Sequence, residues 1–133
     1  MVLTNTHGQP LPFAYRWAVA NGLRRFTPWF ILDSSDEIDG VGREFQKETG
    51  IECCVFARRY DMDDVAAFVV RDGIIQDDVV LAHLSWVRYR DSFVEIERFD
   101  DFWGWLAGRA LPDMAEWTSD EEDIQEALND GAV

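Results

Sequence analysis

Residues 55–71 constrain the fold more than any other stretch, because two apolar runs flank a short polar segment there. The second run, Val65–Val70, contains no polar residue, so it does not alternate as a half-exposed strand would. Continuous apolar runs of this length are typical of strands that are covered on both faces. The sequence therefore predicts a central pair of strands with helices packed on at least one side of the sheet.

Turn signals and short connections predict antiparallel neighbours in this sheet. The Asp72-Gly73 dipeptide is a strong hairpin signal, and adjacent strands that are joined by short loops usually pair with each other. We expect an α+β fold with a mainly antiparallel, curved sheet of four to six strands and with N-terminal and C-terminal helices packed against it. The predicted strands lie near residues 51–58, 65–71, 79–86 and 92–97.

Apolar residues at helical spacing predict the helices and their core residues. Leu11-Pro12 opens the first helix, and Ser34 with Glu37 forms a capping box at the start of the second. A third helix begins near Asp101, and Pro112 is expected to end it before a short acidic helix follows. The large apolar members of these patterns are predicted to be buried: Trp17, Phe45, Phe68, Phe102, Trp103 and Leu106.

The length of 133 residues predicts one domain, which we place at residues 11–133, after a mobile segment at residues 1–10. No apolar run approaches the ~20 residues that span a bilayer. The first residues show neither a basic region nor an apolar core, so no signal peptide is visible. These observations predict a cytoplasmic protein.

The chain is strongly acidic, with a formal net charge of −14. Eight acidic residues follow Arg109, and no Lys or Arg accompanies them. Such a surface repels nucleic acid and anionic membranes, whereas it suits a basic protein partner. We therefore expect no direct nucleic-acid contact and no membrane association.

Two groups of residues allow a catalytic or metal-binding interpretation. Asp61, Asp63 and Asp64 could bind a divalent cation, but no calcium-loop glycine or closing glutamate follows them. A turn of exposed acids, partly paired with nearby arginines, is the favoured alternative. His83 lies within an apolar run, which favours a hydrogen-bonded core histidine over a catalytic acid or base.

Cys53 and Cys54 are adjacent, so on a strand their side chains point to opposite faces. They are poorly placed to form a disulfide or to bind one metal ion together, and we interpret both as reduced, buried residues. We expect no structural metal and no cofactor.

The segment Leu11–Gly22 resembles the opening helix of the SUKH superfamily, in which a Leu-Pro pair, an aromatic residue and a terminal Asn-Gly recur. The strand that ends in aspartates at Phe56–Asp64 and the closing helix at Phe99–Leu106 extend the resemblance to residues 11–110. The chain departs from the family at Met62-Asp63-Asp64, where a glycine-rich turn is common. The resemblance implies a non-enzymatic α+β domain. Many bacterial members are immunity proteins that neutralise toxins of interbacterial competition, often nucleases, and others are regulatory binding modules.

The leading hypothesis is accordingly an immunity-type module that binds a basic toxin through acids on rigid segments. The partner-binding residues expected on this hypothesis are Asp36, Glu37, Asp39, Asp61, Asp63 and Asp64. The alternative is a small enzyme or metal-dependent protein that uses His83 with the Asp61–Asp64 turn.

Overall fold

An antiparallel sheet of six strands runs across the molecule in simple chain order, β1-β2-β3-β4-β5-β6. A computed structural model describes residues 3–5 and 8–131. Each strand pairs antiparallel with the next, and helices precede and follow the sheet, so the predicted α+β class is confirmed. The strands are β1 Arg25–Phe26, β2 Trp29–Ile31, β3 Cys53–Arg59, β4 Asp64–Arg71, β5 Ile74–His83 and β6 Ile96–Phe99.

Helices cover both faces of the sheet. Helix α1 spans Phe13–Ala20, α2 spans Ser35–Thr49, α3 spans Phe102–Trp105, and α4 spans Leu111–Gly131. A π-helical segment, Leu106–Ala110, joins α3 to α4. Side chains of α1 and α3 pack on one face of the sheet and form the first apolar core with it. Helix α2 packs on the opposite face and forms the second core.

The predicted core residues are confirmed for Phe45, Phe68 and Phe102, which are fully buried. The prediction is wrong for Trp17 and Trp103, which are 48% and 42% exposed. Helix α1 instead buries Tyr15, Ala18 and Val19, and α3 buries Trp105 rather than Trp103. The two exposed tryptophans pack edge to face with ring centroids 6.1 Å apart. Leu106 is half-buried against the first core.

The strand boundaries differ from the sequence prediction at both ends of β5. This strand continues through Asp77 and Asp78, since the residues on both sides of these acids pair with β4. It ends at His83, and residues 84–95 form a loop rather than the predicted strand from residue 92. The Asp72-Gly73 hairpin is confirmed, with φ of 53° and 76° at the two residues.

The expected helix break at Pro112 does not occur, because the helix widens just before it. In the π-helical segment the Leu111 N–H donates to the Leu106 carbonyl, one residue further back than in an α-helix. Pro112 then falls in the first turn of α4, where its missing N–H is tolerated. The acidic C-terminal residues therefore belong to one long helix.

The N-terminal segment contacts the sheet where the structure describes it. The Gln9 side chain donates to the Gly73 carbonyl and accepts from the Ile75 N–H at 3.2 Å. The predicted mobile segment, residues 1–10, lies partly outside the described residues, since Met1, Val2, Thr6 and His7 are not among them. None of the helices within residues 8–131 combines the length and apolar composition that a bilayer crossing requires.

Candidate interaction surface

The turn between β3 and β4 carries two acids that are paired with arginines of β3. Asp61 accepts two hydrogen bonds from Arg59, both at 2.9 Å, and the hydrogen bond from Arg59 lowers the pKa of Asp61. Asp63 lies 3.5 Å from Arg58. Their side chains remain 30% and 48% exposed, so these are surface acids whose charge is partly balanced. This arrangement matches the expected turn of exposed acids for these two residues.

Arg58 also joins the turn to the start of α2. Its guanidinium lies 3.4 Å from Glu37 and contacts Asp63 on the other side. Two of the sequence-predicted segments therefore form one continuous surface around Arg58. Asp36 is exposed on the first turn of α2, while Asp39 lines a groove of about 890 Å³ between α2, β3 and the N-terminal segment.

Asp64 differs from the other predicted acids, because it is buried, with only 3% of its surface exposed. One carboxylate oxygen accepts from Arg109 at 2.8 Å, and the other lies 2.8 Å from His83 Nδ1. The carboxylate is therefore occupied within the fold and is not accessible to a partner in this structure. The sequence interpretation of all three aspartates as solvated turn acids is wrong for Asp64, which is the first residue of β4.

His83 is exposed rather than buried in the core, which corrects the sequence interpretation. Its side chain is 63% exposed at the end of β5, directly opposite Asp64 in the β4–β5 register. Because Nδ1 faces Asp64, the second ring nitrogen is directed away from this contact. An acid that holds an exposed histidine in this way is also found in catalytic dyads.

Arg109 and Asp113 connect the Asp64–His83 pair to the beginning of α4. Arg109 donates to Asp64, to Glu97 at 2.6 Å and to Asp113 at 2.9 Å. The same Asp113 oxygen accepts from the Trp29 indole at 2.7 Å and from Arg59 at 3.1 Å. The cluster ties four strands, β2, β3, β4 and β6, to the C-terminal helix. Sequence reasoning missed both residues. The only signal for such a cluster was the composition, in which arginine is used far more than lysine, because arginine favours paired guanidinium groups.

Helix α4 concentrates negative charge along one element of the fold. It holds eight acidic residues and no Lys or Arg, and none of its residues is buried. Among the described residues, Asp113 is the only one of these acids that forms an ion pair. Two apolar residues near its end, Ile124 and Leu128, are 58% and 61% exposed.

A second buried acid, Glu48, holds the loop at residues 84–95 against α2. Its carboxylate accepts from the Ser85 N–H at 2.7 Å, from the Ser85 hydroxyl at 2.6 Å and from the Trp86 N–H at 3.1 Å. Burial by itself would raise the pKa of Glu48, but hydrogen bonds from Glu44, Ser85 and Trp86 outweigh it and lower the pKa to about 2. The shared hydrogen bond and burial raise the pKa of Glu44.

The two cysteines occupy opposite faces of β3, as expected. Cys54 belongs to the core beneath α1, and Cys53 packs on the core beneath α2. Both thiols are free, and burial raises the pKa of Cys53 to about 12 and that of Cys54 to about 11. Neither is therefore an activated nucleophile.

Among the described residues, no group of three or more His, Cys, Asp or Glu side chains is arranged to hold a metal ion.

The comparisons with known proteins identify no relative. No protein-family model, curated protein or solved structure matches the chain.

Proposed function

We propose that the chain is a protein-binding module of immunity type, which neutralises a basic toxin of interbacterial competition in the cytoplasm. The observation that carries the proposal is the unbalanced charge of α4, in which seven of eight acids lack an ion pair among the described residues. A surface of this kind attracts a basic protein over long range and accelerates its association. The SUKH-like sequence features suggest that the partner is a toxin, for example a nuclease.

Acids at the start of α2 and in the β3–β4 turn provide a second part of the proposed surface. Asp36, Glu37, Asp39, Asp61 and Asp63 retain exposure on rigid elements, so a partner would order few side chains on binding. Asp64 belongs to the same segment but supports the fold instead, since it pairs with Arg109 and His83.

The test is neutralisation of the candidate toxin encoded beside the gene. Co-expression should restore growth, and the purified complex should form more slowly as salt is added, by about tenfold between 50 and 300 mM NaCl. A catalytically inactive toxin serves as the expression control. Growth that stays inhibited, together with the absence of a complex at low salt, would rule out the proposal.

The contribution of the turn can be separated from the general charge effect. The double variant Asp61→Asn/Asp63→Asn should lower the association rate more than the control Asp72→Asn/Asp77→Asn. Both variants remove two charges, but the control acids lie toward the opposite end of β4, at the hairpin and on β5. Equal rates for the two variants would show that the turn acids are not part of the interface.

The exposed His83–Asp64 pair supports one second candidate, a small enzyme in which His83 transfers a proton. The same neutralisation assay distinguishes it from a binding module. A His83→Gln variant that still binds the toxin but no longer protects cells would indicate chemistry. If binding and protection are both retained, the enzyme interpretation loses its support.

A further inference from the structure

The C-terminal helix presents an apolar seam that continues beyond the body of the domain. Ala110 is buried and Met114 packs against the core, and Trp117, Ile124 and Leu128 extend the same face along α4. The positions 110, 114, 117, 121, 124 and 128 alternate spacings of four and three, which is the heptad pattern of a helix that pairs with another helix. The distal half of the seam has no covering element among the described residues.

The first turn of α4 is held in place by hydrogen bonds from other elements, so the apolar seam is already positioned. Asp113, in the first turn of α4, accepts from Trp29, Arg59 and Arg109 at distances between 2.7 and 3.1 Å. A partner helix would therefore meet an ordered surface, and less free energy would be spent on ordering α4.

The negative charge in and beside the seam limits which kind of helix can pack against it. Glu121 occupies a seam position between Trp117 and Ile124 and accepts from the Trp117 indole at 2.7 Å. Asp120 lies along one side of the seam, and the opposite face of the helix carries further acids. A second copy of α4 would bring eight more acids and no cation against these groups, which is unfavourable.

We propose that the distal half of α4 docks a basic amphipathic helix of the partner, with a lysine or arginine facing Glu121. The inference rests on the proposed function, because it names the element that receives the basic partner. Apolar seam residues supply the contact area, and the charge of Glu121, which docking would bury, fixes the register, as polar residues within a coiled-coil seam do. The acids outside the seam accelerate the encounter.

The experiment uses the full chain and a labelled synthetic peptide as long as α4. The peptide carries leucine at its seam positions, lysine beside the seam, and one further lysine placed to face Glu121. A scrambled peptide of the same composition has the same charge but no seam. Fluorescence anisotropy should show the seam peptide binding at least about tenfold more tightly than the scrambled peptide.

Two pairs of variants separate the seam from the charge. The variant Ile124→Ala/Leu128→Ala leaves the charge unchanged and preserves helix propensity. Its affinity for the seam peptide should be lower than that of wild type by about tenfold or more. Glu121→Gln should weaken binding severalfold more than Glu122→Gln, since both remove one charge but only Glu121 lies in the seam. Circular dichroism of each variant verifies that α4 remains helical.

Three outcomes would overturn the inference. The first is equal binding of the seam and scrambled peptides, which would leave only nonspecific charge attraction. The second is a wild-type dimer in sedimentation that the alanine variant converts to a monomer, which would assign the seam to a second copy. The third is full toxin neutralisation by the alanine variant, which would reject the docking site while the proposed function stands.

Discussion

Replacing Glu48 with glutamine tests whether a buried carboxylate fixes the loop at residues 84–95. Its side chain is fully buried and receives three hydrogen bonds from Ser85 and Trp86. Glutamine has nearly the same shape, but it carries no charge and replaces one acceptor oxygen with an NH₂ group. That NH₂ group would face the Trp86 N–H, which is itself a donor, or it would face Ser85 after a flip of the amide.

The structure sets the size of the expected effect. A hydrogen bond to a charged group contributes about 1.5–3 kcal/mol, and a buried donor left without an acceptor costs about 1–3 kcal/mol. The variant loses at least one such bond and weakens the others, so the free energy of unfolding at pH 7 should fall by about 3 kcal/mol. Urea unfolding measures this change, and hydrogen exchange should increase most in residues 84–95.

The pH dependence provides an independent check. The pKa of Glu48 falls from 4.5 to about 2 on folding, so the folded state favours the charged form. The stability from this shift is complete above the unfolded-state pKa and disappears as the pH falls toward 2. The difference between wild type and Glu48→Gln should therefore shrink steadily from pH 5 to about pH 2.

Glu44→Gln is the matched control on the same helix. The hydrogen bond that it shares with Glu48 and burial raise the pKa of Glu44. A glutamine amide at this position can donate a hydrogen bond to the Glu48 carboxylate without titrating, so we expect a change within about 1 kcal/mol. If Glu48→Gln also costs less than about 1 kcal/mol at pH 7, the proposed role of the carboxylate is refuted.

Three further predictions follow from burial, backbone geometry and the absence of a metal-binding group among the described residues. Phe102→Ala should cost about 3–5 kcal/mol in urea unfolding, whereas Trp103→Ala, whose ring is 42% exposed and contacts Trp17 and Phe102, should cost only about 1–2 kcal/mol, and equal losses would contradict the burial pattern. Gly50→Ala should cost about 1–2 kcal/mol, because φ is 73° and the added Cβ would lie 2.7 Å from the Phe93 ring, which must move. Chelator treatment should leave Tm unchanged, and a drop of several degrees would revive the cation-site hypothesis for the aspartate turn.

The sequence predicted the elements whose signals are local. The Asp72-Gly73 turn and the uninterrupted apolar run of β4 specified the central strands, because each depends on residues adjacent in the chain. The buried face of α1 could not be fixed in this way. Trp17 and Tyr15 lie on different faces of a short helix with apolar residues nearly all round, and only packing against Phe56 and Phe68 selects Tyr15.

The candidate surface was predictable only where exposure follows from local structure. Asp61 pairs with Arg59, two residues away, so a turn of partly paired acids could be expected. Asp64 pairs with Arg109, which is 45 residues away along the chain, and this contact exists only after the C-terminal helix has packed. Composition cannot distinguish an acid that supports the fold from one that remains available to a partner.

Salt should separate these two classes of acid experimentally. The Asp64–Arg109 pair is buried on the carboxylate side, and screening by mobile ions acts weakly on such a pair. The exposed acids of α4 repel one another and attract a basic partner through water, so screening weakens both effects. Added NaCl should therefore slow association with the toxin while the free energy of unfolding stays constant or rises. The wild-type chain can be measured in both assays from 50 to 500 mM NaCl, a range across which the screening length falls from ~14 to ~4 Å. A parallel loss of stability and association would mean that the acids involved in binding also hold the fold together, contrary to the separation between Asp64 and α4.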